Sequence, residues 1–232
     1  MRGIPFCRAL AACVALAALV GCAQQRAWSY RASPAVRTAP LLAKTVAVPP
    51  LADGRENVNL IRRGLGFIPL LPYGWDDMQS PEGVQMHATS GIWFFKPSED
   101  MAKAIAEELQ NSGIFKQAFF TYRDTDGDLV LRGRIQSTRY QDKMYTYCLS
   151  FFGVYLWFFG APAVSCENEL GLTLTLEDPA AKRVLWERSF TKSRGTTSWI
   201  YSQEPDFFYD ALLKEIMDEA IPSLKQSLAH GA

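Results

Sequence analysis

Leucine occupies every second position from Leu170 to Leu176, and glycine or threonine fills the positions between. Successive side chains of a β-strand point to opposite faces of its sheet, so this alternation predicts a strand with one covered and one wetter face. A turn-prone stretch follows at 178–182, and residues 183–190 again favour a strand. We therefore expect an antiparallel hairpin in this half of the chain.

Strands are also predicted nearer the N-terminus. Val46 and Val48 share one face of a short strand. The aromatic stretch 114–122 and the alternating stretch 129–136 predict a second hairpin, whose turn is Asp124-Thr-Asp-Gly-Asp.

Two helices complete the predicted elements. Ser98 is a suitable N-cap for the first helix, and Gly113 is suitably placed just beyond its end. The second helix should begin near Pro205, and Pro222 should kink or interrupt it. The order of elements predicts an α+β fold in which an antiparallel sheet is covered on one face by two helices, a two-layer sandwich.

The first residues show the pattern of a secretion signal. Arg2 and Arg8 precede an uncharged apolar run at 9–20, which is too short for a comfortable membrane span. The sequence Leu19-Val-Gly-Cys22 then resembles the bacterial lipobox. The resemblance implies that residues 1–21 are a signal peptide and that Cys22 becomes the lipidated N-terminus, with diacylglycerol and an acyl chain such as palmitate.

The lipobox also implies an address and a layout. Ala23 replaces the aspartate that resembles an inner-membrane retention signal, which favours the periplasmic face of the outer membrane. Residues 22–42 are rich in alanine, proline and arginine, and they predict a flexible tether after the lipidated cysteine. Residues 43–232 are then expected to form a single periplasmic domain.

The cysteines outside the signal peptide and Cys22 are Cys148 and Cys166. In an oxidising periplasm such a pair most often forms a disulfide bond, and the alternative is two free buried thiols. The chain has only two histidines, His87 and His230, and neither is near the cysteines in sequence. We therefore predict no metal site here and no cofactor.

Charge and acidic motifs add two further exclusions. Removal of Arg2 and Arg8 leaves 22 basic and 24 acidic residues, which argues against nucleic acid as a partner. The turn at 124–128 begins like a calcium loop, but the twelfth position, where an EF-hand needs a carboxylate, is Ile135. A plain turn is favoured.

The long stretch 53–97 has no sustained period and is predicted to be a loop. It contains Asp76, Asp77 and His87, a combination that suits acid–base chemistry. No nucleophile or phosphate-binding motif accompanies these residues, so the alternative is that they are ordinary loop residues. A periplasmic hydrolase using this loop is one alternative function.

The segment Leu149–Val164 is uncharged and contains six aromatic residues. It is predicted to contact a partner or lipid, and its alternatives are a place in the core or insertion across a membrane. Trp157, Phe158 and Phe159 are the expected anchors of that contact. The candidate contact residues are Phe151, Phe152, Tyr155, Trp157, Phe158 and Phe159.

Beyond residue 43 the layout resembles envelope lipoproteins such as the lipopolysaccharide-assembly and curli-secretion lipoproteins. The resemblance lies in 45–53, 128–135, and 172–178 with 184–187, which each read as a strand and a turn. It implies only a fold and an address. We expect a non-catalytic, lipid-anchored binding or assembly component with an envelope protein partner. The alternatives are the hydrolase and a secretion or pore subunit that inserts residues 149–164.

Overall fold

The computed structural model of the chain describes residues 25–56, 58–80 and 92–230. Within these ranges the chain is a mixed α+β fold with a large sheet and three helices. The strands are β1 (Gln25–Ala27), β2 (Leu42–Val48), β3 (Ala52–Asp53), β4 (Asn59–Arg62), β5 (Tyr73–Met78), β6 (Ile92–Phe94), β7 (Phe115–Phe120), β8 (Leu129–Ser137), β9 (Tyr140–Tyr145), β10 (Val164–Asp178) and β11 (Arg183–Ser198). The helices are α1 (Pro97–Asn111), α2 (Val154–Phe158) and α3 (Tyr209–His230).

The antiparallel hairpin β10–β11 organises the sheet, as the leucine alternation predicts. One edge of β10 pairs with β11 along its whole length. The other edge pairs first with β9 and then with β8, which lie end to end on either side of Thr138 and Arg139. The sheet therefore divides into two wings, one continuing from β8 through β2 to β7 and the other from β9 through β5 to β4.

The sheet is mixed, which corrects the predicted antiparallel sheet. β2 pairs in parallel with both β7 and β8 and lies between them, so 114–122 and 129–136 do not form a hairpin. The chain passes from β2 to β7 through α1, and such a crossover brings the second strand back in the same direction. Alternation of side chains is the same in parallel and antiparallel strands and does not reveal this.

The two long helices occur where they were predicted, but their first residues differ from the prediction. α1 begins at Pro97, with Lys96 rather than Ser98 as the preceding residue, and Gly113 takes a positive φ of 69° just after its end. α3 begins at Tyr209, four residues after Pro205, and continues through Pro222. Side chains of both helices belong to one buried cluster with leucines of β8 and β10.

The segment after Cys22 does not behave as the predicted tether over the described residues. Trp28 packs against Phe95 with their ring centroids 5.3 Å apart, and the Tyr30 hydroxyl donates to Glu108 at 2.7 Å. The Val36 amide donates to the Asn111 carbonyl at 2.8 Å. Aromatic side chains bury enough apolar area to order a segment whose alanine and proline content alone suggests a linker.

Residues 53–97 are likewise not one long loop. They include β4 and β5, which form the second wing of the sheet beyond β9. Both strands are short, with four residues in β4 and six in β5, so neither has an alternation long enough to recognise in sequence.

Candidate functional site

The aromatic segment crosses from β9 to β10 at the end of the second wing. A tight reversal at Thr146–Ser150, in which Tyr147, Cys148 and Ser150 take positive φ angles, leads into a 3-10 turn and then α2. Gly153 lies against the Thr146 carbonyl so closely that a Cβ atom would stand 1.8 Å from its oxygen. The segment is thus held tightly to the end of β9.

Most aromatic side chains of this segment point into solvent. Phe159 is 86% exposed, Leu70 of a neighbouring turn is 82% exposed, and four others are each more than half exposed. Exposed apolar patches of this kind usually mark interaction sites. We call the following set the aromatic surface: Leu70, Phe151, Phe152, Tyr155, Phe158 and Phe159.

Trp157 has a different role from the one expected. Its ring is half-buried, and its indole N–H donates to the Tyr145 carbonyl at 2.9 Å. It therefore fastens α2 to the end of β9, while Phe158 and Phe159 project outward. The segment is neither core nor uniformly exposed: Trp157 holds it, and its neighbours form the surface.

Two further contacts fix the position of the surface. The Tyr147 hydroxyl donates to the Pro162 carbonyl at 2.6 Å, which closes the base of the segment. The Tyr201 hydroxyl, from the chain after β11, donates to the Phe158 carbonyl at 3.0 Å.

The turn at 63–71 completes the surface and was missed by sequence reasoning. Phe67 stacks on Phe151 with ring centroids 4.3 Å apart, and the Leu70 amide donates to the Cys148 carbonyl at 3.2 Å. The signal in the sequence was the run Leu65-Gly-Phe-Ile-Pro-Leu-Leu-Pro, which is uncharged although it has no period. Its meeting with residues 149–160 depends on the pairing of β5 with β9.

A buried charge cluster ties this turn to the wing. The Arg63 guanidinium donates to Asp142 of β9 and lies 3.0 Å from Asp76 of β5, and both carboxylates are buried. The Asp76 carboxylate also accepts hydrogen bonds from the backbone amides of Arg62 and Arg63, each at 2.9 Å. Burial raises the pKa of Asp142 to about 6; Arg63 opposes the rise and Asp76 adds to it.

The residues of the alternative hydrolase site are not brought together as a catalytic group in the described part of the chain. Asp76 faces Arg63, whereas Asp77 accepts from the Arg139 guanidinium at 2.8 Å. His87 lies outside the described residues. Both carboxylates thus serve ion pairs that hold the second wing.

The acidic turn is held by protein groups. Asp128 accepts from the backbone amide and the hydroxyl of Thr45, each at 2.8 Å, and Asp124 pairs with Arg132 at 2.6 Å. Among the residues that the structure describes, no group of three or more histidine, cysteine or acidic side chains is arranged to hold a metal ion.

The predicted disulfide is absent, and both thiols are free. Cys166 pairs opposite Asp142 on the β10 side of β9, whereas the Cys148 carbonyl accepts from Leu70 on the β5 side. Cys166 therefore lies beside the middle of β9, whereas Cys148 follows the end of that strand, in the reversal that leads to α2. Cys148 is exposed, and Cys166 is buried.

None of the helices in the described ranges is long and apolar enough to cross a membrane. Cys22 and the lipobox lie outside those ranges.

No protein-family model matches the chain, and no curated protein matches it. The crystal structure of protein XCC0632 from Xanthomonas campestris, a DUF330 protein, is similar at 14% identity and a TM-score of 0.49, covering 90% of this chain and 98% of the other. An uncharacterised protein of known structure is similar at 6% identity and a TM-score of 0.27, covering 90% and 100% of the two chains. Neither similarity assigns a function to this chain.

Proposed function

We propose that this chain is a non-catalytic, lipid-anchored envelope protein, a binding or assembly component at the periplasmic face of the outer membrane. We further propose that the aromatic surface is its contact site. The observation that carries the proposal is that five aromatic side chains and Leu70 are exposed together on a backbone that Trp157 and Gly153 hold in place. A preorganised apolar surface loses little conformational entropy when it binds.

The lipobox and the N-terminal segment support the anchor. Gln25, the first described residue, follows Cys22 by three residues, which span at most about 10 Å. Trp28 and Tyr30 are already packed on the domain. A lipid on Cys22 would thus keep the domain close to the bilayer, so that a contact site at the membrane would be within reach.

We also propose that α1 and α3 together cover one face of the sheet, as a two-layer sandwich. In support, Leu109 of α1 and Met217 of α3 line one small cavity with Leu131 of β8 and Leu174 of β10. Exposed residues alternate with buried ones along the second half of β8, which fits an opposite face open to solvent.

Protection of a thiol in the native envelope tests the contact site. In a Cys148→Ser background, Phe159→Cys should react with a water-soluble maleimide at least tenfold more slowly in envelope fragments than in purified protein. Tyr122→Cys, at an aromatic residue that is 69% exposed in the other wing, is the matched control and should react equally in both. Equal rates for Phe159→Cys in the two samples would contradict the proposal.

A further inference from the structure

We infer that the aromatic surface inserts into the interfacial region of a phospholipid bilayer. The inference rests on the proposed function and names what the contact site touches. It assigns to residues 67–70 and 149–160 the role of a second membrane attachment, in addition to the lipid on Cys22. The alternative occupant, a protein, is an outcome of the test below.

The distribution of charge favours a bilayer. Residues Leu149–Val164 contain no acidic or basic side chain. Two basic side chains of β4 and β9 lie near the end of the wing that carries the aromatic surface, and each contacts an aromatic ring. Lys143 lies 5.6 Å from the centre of the Tyr73 ring, and Arg62 lies 5.8 Å from the centre of the Trp75 ring. The apolar aromatic surface would thus contact the acyl chains, while the basic side chains next to it would contact anionic headgroups.

The acids of the same strands do not oppose this arrangement. Asp76 and Asp142 are buried and face Arg63, so they present no carboxylate to the membrane. Asp77 lies two residues beyond Trp75 in β5, and its carboxylate is paired with Arg139. Glu204 follows β11 and is exposed, and its amide donates to the Ser198 hydroxyl at 3.2 Å.

The backbone of residues 149–160 is also suited to an apolar environment. A polar group that enters lipid needs a partner inside the protein. The Phe159 amide donates to the Leu156 carbonyl at 3.0 Å, and the Gly160 amide donates to the Trp157 carbonyl at 3.1 Å. The Phe152 amide donates to the Leu149 carbonyl at 3.1 Å. Short helical turns thus provide hydrogen-bond partners for these three amides of the segment that would enter the bilayer.

A protein interface would be expected to look different. Such interfaces carry a polar rim and about one hydrogen bond per 100–200 Å² of buried area. Within the aromatic surface the side chains offer a single polar group, the Tyr155 hydroxyl. Phenylalanine and leucine form the apolar face of segments that lie at the boundary between acyl chains and headgroups, and tyrosine is enriched at that boundary.

An environment-sensitive fluorophore on the lipidated full chain tests the inference. The fluorophore NBD is attached at Phe159→Cys in a Cys148→Ser background, and the protein is reconstituted into vesicles of phosphatidylethanolamine with a minority of phosphatidylglycerol. We expect a shift of emission to shorter wavelength and quenching by acyl-chain spin labels several-fold stronger than at Tyr122→Cys. Tyr155→Cys provides a second reporter on the same surface and should behave like Phe159→Cys.

Two outcomes would overturn the inference. If NBD at Phe159→Cys in vesicles is quenched by aqueous iodide as strongly as at Tyr122→Cys, the surface does not enter lipid. If that same position is nevertheless protected in envelope fragments, the bilayer inference fails while the contact function stands, and a protein is the occupant. If it is accessible in both samples, both proposals fail.

Discussion

At the scale of single residues, the Arg63 cluster shows how buried charge positions the site. Arg63 opens the turn that carries Phe67 and Leu70, and its guanidinium reaches Asp76 and Asp142 on two different strands. Two carboxylates facing one guanidinium leave an excess of negative charge in a place with little water. This excess makes the cluster sensitive to proton binding.

Replacement of Asp142 by asparagine should change how stability depends on pH. Because burial raises the pKa of Asp142 to about 6, the folded state binds a proton that the unfolded state, near pKa 3.9, releases. This contribution to stability is fully present below about pH 4 and is lost as the pH rises through 6. The free energy of unfolding of the wild type, relative to Asp142→Asn, should therefore be higher at pH 4.5 than at pH 7 in urea titrations.

Asp178→Asn is the matched control for that experiment. The Ala181 amide and the Lys44 ammonium lower the pKa of Asp178, so its contribution has the opposite sign and is lost only below about pH 4. The wild type should gain nothing over this variant between pH 7 and 4.5. A constant difference for Asp142→Asn across the same range would show that Asp142 does not bind the proton.

The two cysteines should differ sharply in reactivity. Cys148 is exposed, whereas Cys166 is buried and its pKa is raised to about 12, chiefly by burial. The thiolate is the reactive form, so native protein should incorporate alkylating reagent quickly at Cys148 and at Cys166 only after unfolding. Mass mapping of alkylated peptides measures this. Recovery of a disulfide-linked Cys148–Cys166 peptide from native protein would contradict this prediction and support the disulfide expected from the sequence.

At the scale of elements, two segments that contain no long regular structure are fixed by a few contacts each. The aromatic segment depends on Gly153 and Trp157 at the end of β9. The N-terminal segment depends on Glu108, which is buried on α1 and accepts from Tyr30, the Ser33 amide and Lys214. Burial opposes the charge of Glu108, but these hydrogen bonds outweigh it and lower the pKa of the carboxyl.

Gly153→Ala should displace the aromatic segment. The new methyl group would stand 1.8 Å from the Thr146 oxygen, so the segment must move, at a cost of about 1–3 kcal/mol in the free energy of unfolding. Gly64→Ala is the control, because nothing lies within 4 Å of its added methyl group, and it should change stability by less than about 0.5 kcal/mol. Equal effects in urea unfolding would mean that the close approach at Gly153 is unimportant.

Tyr30→Phe should loosen the N-terminal segment. The buried Glu108 carboxylate would lose a donor at 2.7 Å, which we expect to destabilise the fold by about 1–3 kcal/mol. Amide hydrogen exchange followed by mass spectrometry should speed up over residues 28–36. The control is Tyr155→Phe, which removes an exposed hydroxyl and should leave this exchange unchanged. Unchanged exchange in Tyr30→Phe would indicate that the other contacts of the segment, such as those of Trp28, Ser33 and Val36, hold it without this hydrogen bond.

At the scale of the whole molecule, attachment to the membrane is proposed to occur at two places. One is the lipid on Cys22, and the other is the aromatic surface at the end of the second wing. Two attachments on one rigid body would restrict its orientation on the bilayer.

Cys22→Ala should abolish labelling with radioactive palmitate and move most of the protein out of the sedimented membrane fraction. The reason is that a few exposed aromatic residues bind a bilayer far more weakly than several acyl chains, which gain about 0.8 kcal/mol per buried methylene. Cys148→Ser is the control and should keep both the label and the sedimentation. Undiminished palmitate labelling of Cys22→Ala would rule out the lipobox interpretation.

The sequence by itself determined those elements whose pattern is local. The hairpin β10–β11, the C-terminal end of α1 and most of α3 follow from side-chain periods, turn residues and end residues that neighbours in sequence decide. It also singled out the uncharged aromatic segment and five of the six residues of the aromatic surface. These features depend on composition over a few residues, which is visible without a structure.

Only the tertiary structure decided which strands are neighbours and which apolar residues remain uncovered. The parallel position of β2, the division of the sheet at Thr138 and the pairing of Cys166 with the middle of β9 all depend on contacts between distant segments. Trp157 and Phe159 look alike in sequence, yet one is half-buried and the other is exposed. The physical reason is that burial is set by what packs against a side chain, and local periodicity carries no information about that partner.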